Sequence, residues 1–325
     1  MKGNITMNVK NKKILVIVAH PDDEVLGMGG TIAKCAANGA EIGLLIVTDG
    51  STSQYKDIPN LHEIIEEKKQ ETKRSADILG IKHIYYGKQP DMKLDVTEHI
   101  RVNNAIENVV NEFNPDIVFT HFDGDVNKDH QCVFQSTLVA CRPIPGQKVK
   151  ELYSFSVPSS TEWSPQNTKN IFMPNLFVDI EGQYAESKYN AMKEYKTELR
   201  KFPHPRSIET LEILDSAVGL QIGIKCAESF IVHRINKMKR EYLFFKRIFD
   251  IIGSLIFITI CVVPWIIIGI IIRIQSPGPI IYKAKGRVKW NVFILYKFRT
   301  MKVNSGTIRS TTLRMMIEFF LLEDF

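Results

Sequence analysis

The chain has 325 residues, too many for one ordinary core and enough for one large domain with a smaller one. Its net charge of +6 is uneven: 15 Lys and Arg against 5 Asp and Glu follow Ile235, so the tail carries +10 and the part before it −4. Those basic residues bracket an apolar run instead of interleaving with aromatics, which excludes nucleic acid as the default partner.

Five cysteines (Cys35, Cys132, Cys141, Cys226, Cys261) form no CxxC pair and point to a reduced, cytosolic catalytic part. The segment before Ile14 has no apolar stretch, so no signal peptide is expected. Ile14 to Ala19 has the character of a buried parallel strand, followed by a helix over about 24–38. A strand over 42–48, a helix over 62–79 ending at Gly80 and a strand over 83–86 come next. A helix near 96–113, a strand over 116–121 and a helix over 129–141 complete the pattern. This alternation predicts an α/β fold, a Rossmann-like, largely parallel sheet with helices on both faces. Ligands gather at the carboxyl ends of such strands, where His20–Glu24, Thr48–Ser51 and His121–His130 fall. Beyond Arg142 the pattern is less regular, with a β-like stretch at 152–157 and a helical one at 184–202.

The segment AHPDDE, Ala19 to Glu24, stands where a buried strand gives way to a helix. His20 and Asp23 are three apart, so a chain entering its first helical turn brings both to one side. Adjacent Asp22 and Asp23 point in different directions, so one can bind metal while the other faces water. A hydrolytic zinc ion takes three protein ligands at about 2.0–2.2 Å and keeps a position open. The third ligand comes from another strand end, and His130 in HFDGDVNKDH is the best candidate. Asp129 either caps the following helix or orients a ligating imidazole.

The segments AHPDDEVLGMGG, DVNKDH and CAESFIVHR resemble the LmbE-like, PIG-L-type deacetylases over about Lys12 to Arg234. That resemblance implies a Zn2+ hydrolase acting on N-acetylglucosaminyl compounds, with ligands His20, Asp23 and His130 and with Asp22 as general base. Many members have histidine where this chain has Asn127, whose carboxamide donates a hydrogen bond but supplies no proton; Asn127 is therefore read as a helper of the oxyanion. GMGG, Gly27 to Gly30, lacks the third glycine of a dinucleotide loop and reads as close helix packing. Lys68 and Glu71 fall where relatives carry an Arg-x-x-Glu pair; Lys68 is either a substrate contact or half of an i,i+3 pair on a solvated face. Asp91 is either near the sugar, as the resemblance implies, or a turn residue after proline. SSTEW and KFPHPRS look like a subgroup found with cell-surface polysaccharide genes, so His204 and Arg206 are candidates for gripping a sugar hydroxyl or phosphate, or for holding a turn. His62, His83 and His233 read as structural or surface histidines.

Ile251 to Ile272 is uncharged over 22 residues, enough to span about 30 Å of hydrocarbon. Basic residues flank it on both sides (Lys237, Lys239, Arg240, Lys246 and Arg247; Arg273, Lys283, Lys285, Arg287 and Lys289), and Pro264 lies near its middle. That pattern favours a re-entrant helix turning back at the proline over a transmembrane one. KRIFDIIGS, SPGPIIYKAKGR and YKFRTMKV resemble the amino-terminal part of bacterial sugar transferases of the monotopic phosphoglycosyl type over about Phe244 to Val303. Their catalytic Asp-Glu pair is missing, Asn304 to Phe325 shows no resemblance, and a truncated frame or half of a split pair would account for this.

The expected organisation is a deacetylase domain over 1–235 and a membrane-associated segment over 236–325, at the cytoplasmic face of the inner membrane. The expected substrate is a nucleotide- or polyprenyl-linked N-acetylated amino sugar. Membrane lipid, and a partner chain supplying the rest of the transferase, are the other expected partners. The alternatives are a sugar-phosphate transferase and a non-catalytic membrane scaffold.

Overall fold

Ile14 to Ala19 lose essentially all contact with solvent, because their strand lies mid-sheet with helices on both sides. The computed structural model describes residues 9–50, 61–165, 167, 170–236, 240–288 and 291–299. The expectations placed on Ser51, Lys237, Lys239, Lys289 and 304–325 lie outside these, as do the side chains of His62, Arg240, Lys285 and Arg287. Two compact units divide between Lys237 and Met238.

In the first unit the chain runs β1 (Lys13–Val18), α1 (Asp23–Ala37), β2 (Glu41–Thr48), α2 (Leu61–Leu79), β3 (His83–Gln89), α3 (His99–Phe113), β4 (Ile117–His121), α4 (Lys128–Ala140) and β5 (Glu151–Phe155). It continues through β6 (Leu176–Asp179), α5 (Gln183–Glu194), α6 (Ile208–Leu220) and β7 (Ala227–Ile235). The seven strands are ordered β3-β2-β1-β4-β5-β7-β6. β1 through β5 pair in parallel, and β7 runs antiparallel to both β5 and β6. The order reverses between β1 and β4, and the crevice at such a switch point is where an open α/β sheet places its ligand.

Alternate residues of β1, with Ala19 just after it, feed two cores. Ile14, Val16 and Val18 pack with Leu26, Leu79 and Met192 from α1, α2 and α5. Leu15, Ile17 and Ala19 pack with Val102, Ile106 and Val133 from α3 and α4.

The irregular region expected after Arg142 contains β6, α6 and β7. β6 has only four residues, and Glu228 and His233 break the apolar pattern of β7, so neither strand announces itself. The helix expected over 184–202 stops at Glu194, because the next residues turn their side chains toward α1 and α2: the Tyr195 hydroxyl donates to Glu24 and the Thr197 hydroxyl to Glu71.

α1 leaves helical geometry at Met28 (φ −156°, ψ 24°). The Glu228 carboxylate compensates there by accepting the Gly30 and Thr31 amides at 3.0 and 2.6 Å. GMGG is a packing device: a Cβ on Gly27 would stand 2.2 Å from the Phe155 ring, and one on Gly30 would stand 2.8 Å from Ile180.

The second unit contains α7 (Arg240–Gln275) and a hairpin of β8 (Ile281–Val288) with β9 (Asn291–Phe298). Lys246–Gln275 is long and apolar enough to cross a membrane by length and composition. The reversal expected at Pro264 does not occur, since α7 continues through it. Proline removes one hydrogen bond, to the Ile260 carbonyl, and the turns on either side keep theirs.

Gly27→Ala is expected to destabilise the domain by about 1–3 kcal/mol through overpacking against Phe155. A denaturant midpoint equal to wild type would contradict that contact.

Candidate metal centre

β1 and β4 end side by side, and the residues that follow them fold into the crevice. His20 leaves the end of β1. Asp22 follows in a left-handed conformation (φ 99°, ψ −26°), which is costly for a residue with a Cβ and typical of functional sites. That bend starts α1 immediately, so Asp23 turns back and its Oδ2 accepts the His20 amide at 2.8 Å. His130 comes from the first turn of α4.

Three atoms meet here. His20 Nδ1 is 3.3 Å from Asp23 Oδ2 and 3.3 Å from His130 Nε2, and His130 Nε2 is 3.4 Å from Asp23 Oδ2. Ligands about 2.0–2.1 Å from a tetrahedral zinc are separated by about 3.3–3.4 Å, which is the edge length observed.

The outer imidazole nitrogens have anionic partners. His20 Nε2 lies 3.1 Å from Asp91 Oδ1 and 3.2 Å from Asp129 Oδ2, while His130 Nδ1 lies 3.1 Å from Asp125 Oδ2. A proton on each outer nitrogen leaves both inner nitrogens as bare acceptors facing the carboxylate. Three acceptors with no proton between them repel, so the donor set fits a divalent cation. The same carboxylates draw in positive charge: burial opposes a charge on His20, yet Asp129, Asp23 and Asp91 outweigh it and raise the imidazole pKa well above its ordinary value, so a cation binding here would displace a proton. His130 is likewise pushed up to about 9, burial being overcome by Asp23 and Asp125.

The supporting carboxylates are themselves tied down. Asp129 accepts the Met92 and Leu94 amides at 2.7 and 3.0 Å, and so orients His20 instead of capping α4. Asp125 takes the Thr161 hydroxyl at 2.7 Å, the Ser160 hydroxyl and the Asn127 amide. SSTEW thus holds the acid that holds His130. Asp91 is buried against His20. Asn127 sits at the N-cap of α4, its carbonyl accepting the Asp129 amide at 2.9 Å and its Nδ2 3.8 Å from Met92 Sδ.

Asp22 is 1% exposed. Burial and the neighbouring Glu198, Asp23 and Glu24 raise its affinity for a proton, while Arg206 opposes them. Arg206 Nη1 stands 3.4 Å from Asp22 Oδ2 and donates to Glu198 at 2.6 Å, and its Nε donates to Ser159 at 2.9 Å. Glu198 in turn accepts Lys68 at 2.7 Å. Lys68 and Glu71 are therefore not a pair on a solvated face: both are buried, and Glu71 accepts the Thr197 hydroxyl at 2.7 Å. His204 accepts the Arg206 amide at 3.1 Å and lies edge-on to Trp163. His83 pairs with Glu41 and His233 with Ser154, apart from this cluster.

Asp125, Glu198 and His121 were not singled out from sequence. His121 stacks on His130 with ring centroids 3.9 Å apart, and its Nε2 accepts the Ala19 amide at 2.8 Å. That bond occupies its inner nitrogen and keeps it out of the ligand set. Burial, then repulsion from His130, holds its pKa well below the ordinary value.

The sequence model of the GlcNAc-PI de-N-acetylase family, PIG-L, matches residues 15–141, and that of the bacterial sugar transferase family matches 241–317. The second match runs beyond Val303, into residues where no resemblance was expected. An uncharacterized deacetylase of Escherichia coli K12, YaiS, is 29% identical over 58% of this chain and 92% of its own length. Diacetylchitobiose deacetylase of Thermococcus kodakarensis is 30% identical over 58% of this chain and 70% of its own length. Among solved structures, N,N'-diacetylchitobiose deacetylase from Pyrococcus horikoshii superposes with a TM-score of 0.55 at 23% identity, covering 69% of this chain and 84% of that one.

Asp129→Asn is expected to weaken divalent-cation binding at the His20, Asp23 and His130 triangle about 10–100-fold, the usual effect of losing a carboxylate behind a ligating histidine. Metal titration of the folded variant measures it, and wild-type affinity would detach Asp129 from the centre.

Proposed function

This chain belongs to the PIG-L deacetylase family, and we propose that it is a zinc-dependent hydrolase removing the acetyl group from an N-acetylglucosamine-type sugar at a membrane surface. The observation that carries this reading is the triangle of His20 Nδ1, Asp23 Oδ2 and His130 Nε2, with edges of 3.3–3.4 Å, beside the buried and strained Asp22.

Zinc held by those three atoms would polarise the acetyl carbonyl and ease the ionisation of water. Asp22 takes the proton of the attacking water as its oxygen bonds to the acetyl carbon. Asp22 then gives a proton to the departing nitrogen as the C–N bond breaks, which yields acetate and a free amino sugar. The same burial that raises its proton affinity makes it a stronger acceptor for this task. Arg206, braced by Glu198 and Ser159, keeps the Asp22 carboxylate in line. The Asn127 amide group, next to Met92 at the rim, is the candidate donor to the carbonyl oxygen.

The sugar is nucleotide- or polyprenyl-linked in this reading, and the enzyme works at the cytoplasmic face of the membrane with α7 as its anchor. The length and apolar composition of Lys246–Gln275 support the anchor. The sugar transferase match over 241–317 supports a setting where polyprenyl phosphates are handled.

His130→Ala should lose most of its zinc, since two protein ligands make a poor site; full metal content in the purified variant would remove His130 from the set. Asp22→Asn keeps shape but cannot accept a proton, so zinc should stay and turnover fall about 10²–10⁴-fold. Wild-type turnover would refute its role as base. Removing 236–325 should release a soluble, active domain from membranes, and cysteine labelling on both flanks of α7 distinguishes a crossing helix, with flanks on opposite sides, from a monotopic one.

A further inference from the structure

β1 and β4 pair only from Ile14–Ile117 to Val16–Phe119, although β1 stays with β2 as far as Val18 and β4 stays with β5 as far as His121. The two central strands therefore separate before they reach the metal centre. A strand that leaves its neighbour inside a core keeps amides that still need an acceptor. The Ala19 amide is one of these, and it finds the imidazole of His121, whose Nε2 accepts it at 2.8 Å.

His121 is 0% exposed and its ring is tightly placed. It stacks on His130 with centroids 3.9 Å and planes 10° apart, and the Phe155 ring lies 5.4 Å away at a tilt. Its Nε2 is also 3.4 Å from Asp23 Oδ2. One side chain thus touches every arm of the triangle: the residue before His20, Asp23 itself, and His130.

The geometry narrows what this histidine can do. With Nε2 accepting an amide, the ring proton sits on Nδ1, and that nitrogen has no hydrogen-bond partner among the described residues. A ring closed off from solvent, with its second nitrogen unpartnered, has no route for a proton, which excludes acid or base work. The orphaned donor costs free energy, and an apolar side chain of similar shape would avoid that cost. What histidine adds over such a residue is a flat spacer carrying an acceptor at its tip.

We propose that His121 is a positioning residue that sets the width of the metal crevice: its imidazole bridges the diverging ends of β1 and β4 through the Ala19 amide and fixes His130 against His20 and Asp23. The proposal rests on the metal reading of that triangle. It makes the cation's coordination depend on a residue that does not ligate it.

The test uses the full chain in detergent micelles, metal-free, titrated with Co2+ and followed by visible absorption. His121→Phe keeps a ring for His130 but loses the acceptor, and it should weaken Co2+ binding about 10–100-fold and alter the spectrum, an effect of the size seen when support behind a ligand is lost. His121→Gln restores an acceptor of similar reach and should recover much of that loss. A purely structural histidine would change the unfolding midpoint of the metal-free chain and leave Co2+ affinity and spectrum as in wild type, and that result in His121→Phe overturns the proposal. A His121→Gln no better than His121→Phe overturns it too. Where His121→Phe does not fold, His121→Asn, too short to reach Ala19, takes its place with the same expected loss and the same overturning result. If wild type takes up no Co2+, the metal reading fails separately, and hydrogen exchange decides the bridge: faster exchange at the Ala19 amide in the variant upholds it, and an unchanged rate overturns it.

Discussion

Two imidazole nitrogens and a carboxylate oxygen, each presenting lone pairs, are held within 3.4 Å of one another in an almost fully buried crevice. Left alone such a cluster would spread apart or take up protons. It stays together because every member is gripped from behind: His20 by Asp91 and Asp129, His130 by Asp125, and Asp23 by the His20 amide. Such a donor set suits a cation, and the surrounding carboxylates and amides keep its three atoms close.

The sheet decides where this is possible. Because the strand order reverses between β1 and β4, the loops leaving these neighbours diverge and a gap opens at their ends. One edge of the gap supplies His20 and Asp23 and the other supplies Asp125 and His130. The segment 195–206 then closes over the crevice with Glu198 and Arg206, which explains why α5 cannot run on through it. Lys68 reaches the same segment from α2. Structural bracing converges in this part of the molecule, where one guanidinium stands beside Asp22 and Glu198 together.

Local pattern was enough to find β1 to β5, α1 to α4 and the three converging residues His20, Asp23 and His130, because each signal sits within a few residues: an apolar run ending in HPDDE, and a strand followed by DVNKDH. The Lys68–Glu198 and Thr197–Glu71 pairings join residues 130 and 126 positions apart, and no spacing rule reaches that far. α2 shows the reason most plainly. Its buried stripe is Lys68, Glu71, Thr72, Ser75, Ala76 and Leu79, which has helical period but is mostly polar, so a reading keyed to apolar residues assigns that face to solvent. β6 and β7 escaped for a related cause, as a glutamate clamping α1 and a histidine bonding Ser154 interrupt the strand pattern. At the tail, proline chemistry suggested a reversal, and a helix with enough turns on either side absorbed the lost bond instead.

The clamp of Glu228 on the Gly30 and Thr31 amides has a consequence for the order of events on the ribosome. His20, Asp22, Asp23 and His130 are all synthesised well before β7, yet the bend in α1 that follows the catalytic motif keeps two bare amides until Glu228 emerges. Those two amides therefore gain their carboxylate partner only when the last strand has been made. Only a short segment then separates that strand from the apolar α7. Completion of the first unit and synthesis of the apolar α7 thus fall in the same brief interval of translation, and a delay in docking β7 would leave that unit unfinished while a long apolar helix follows it.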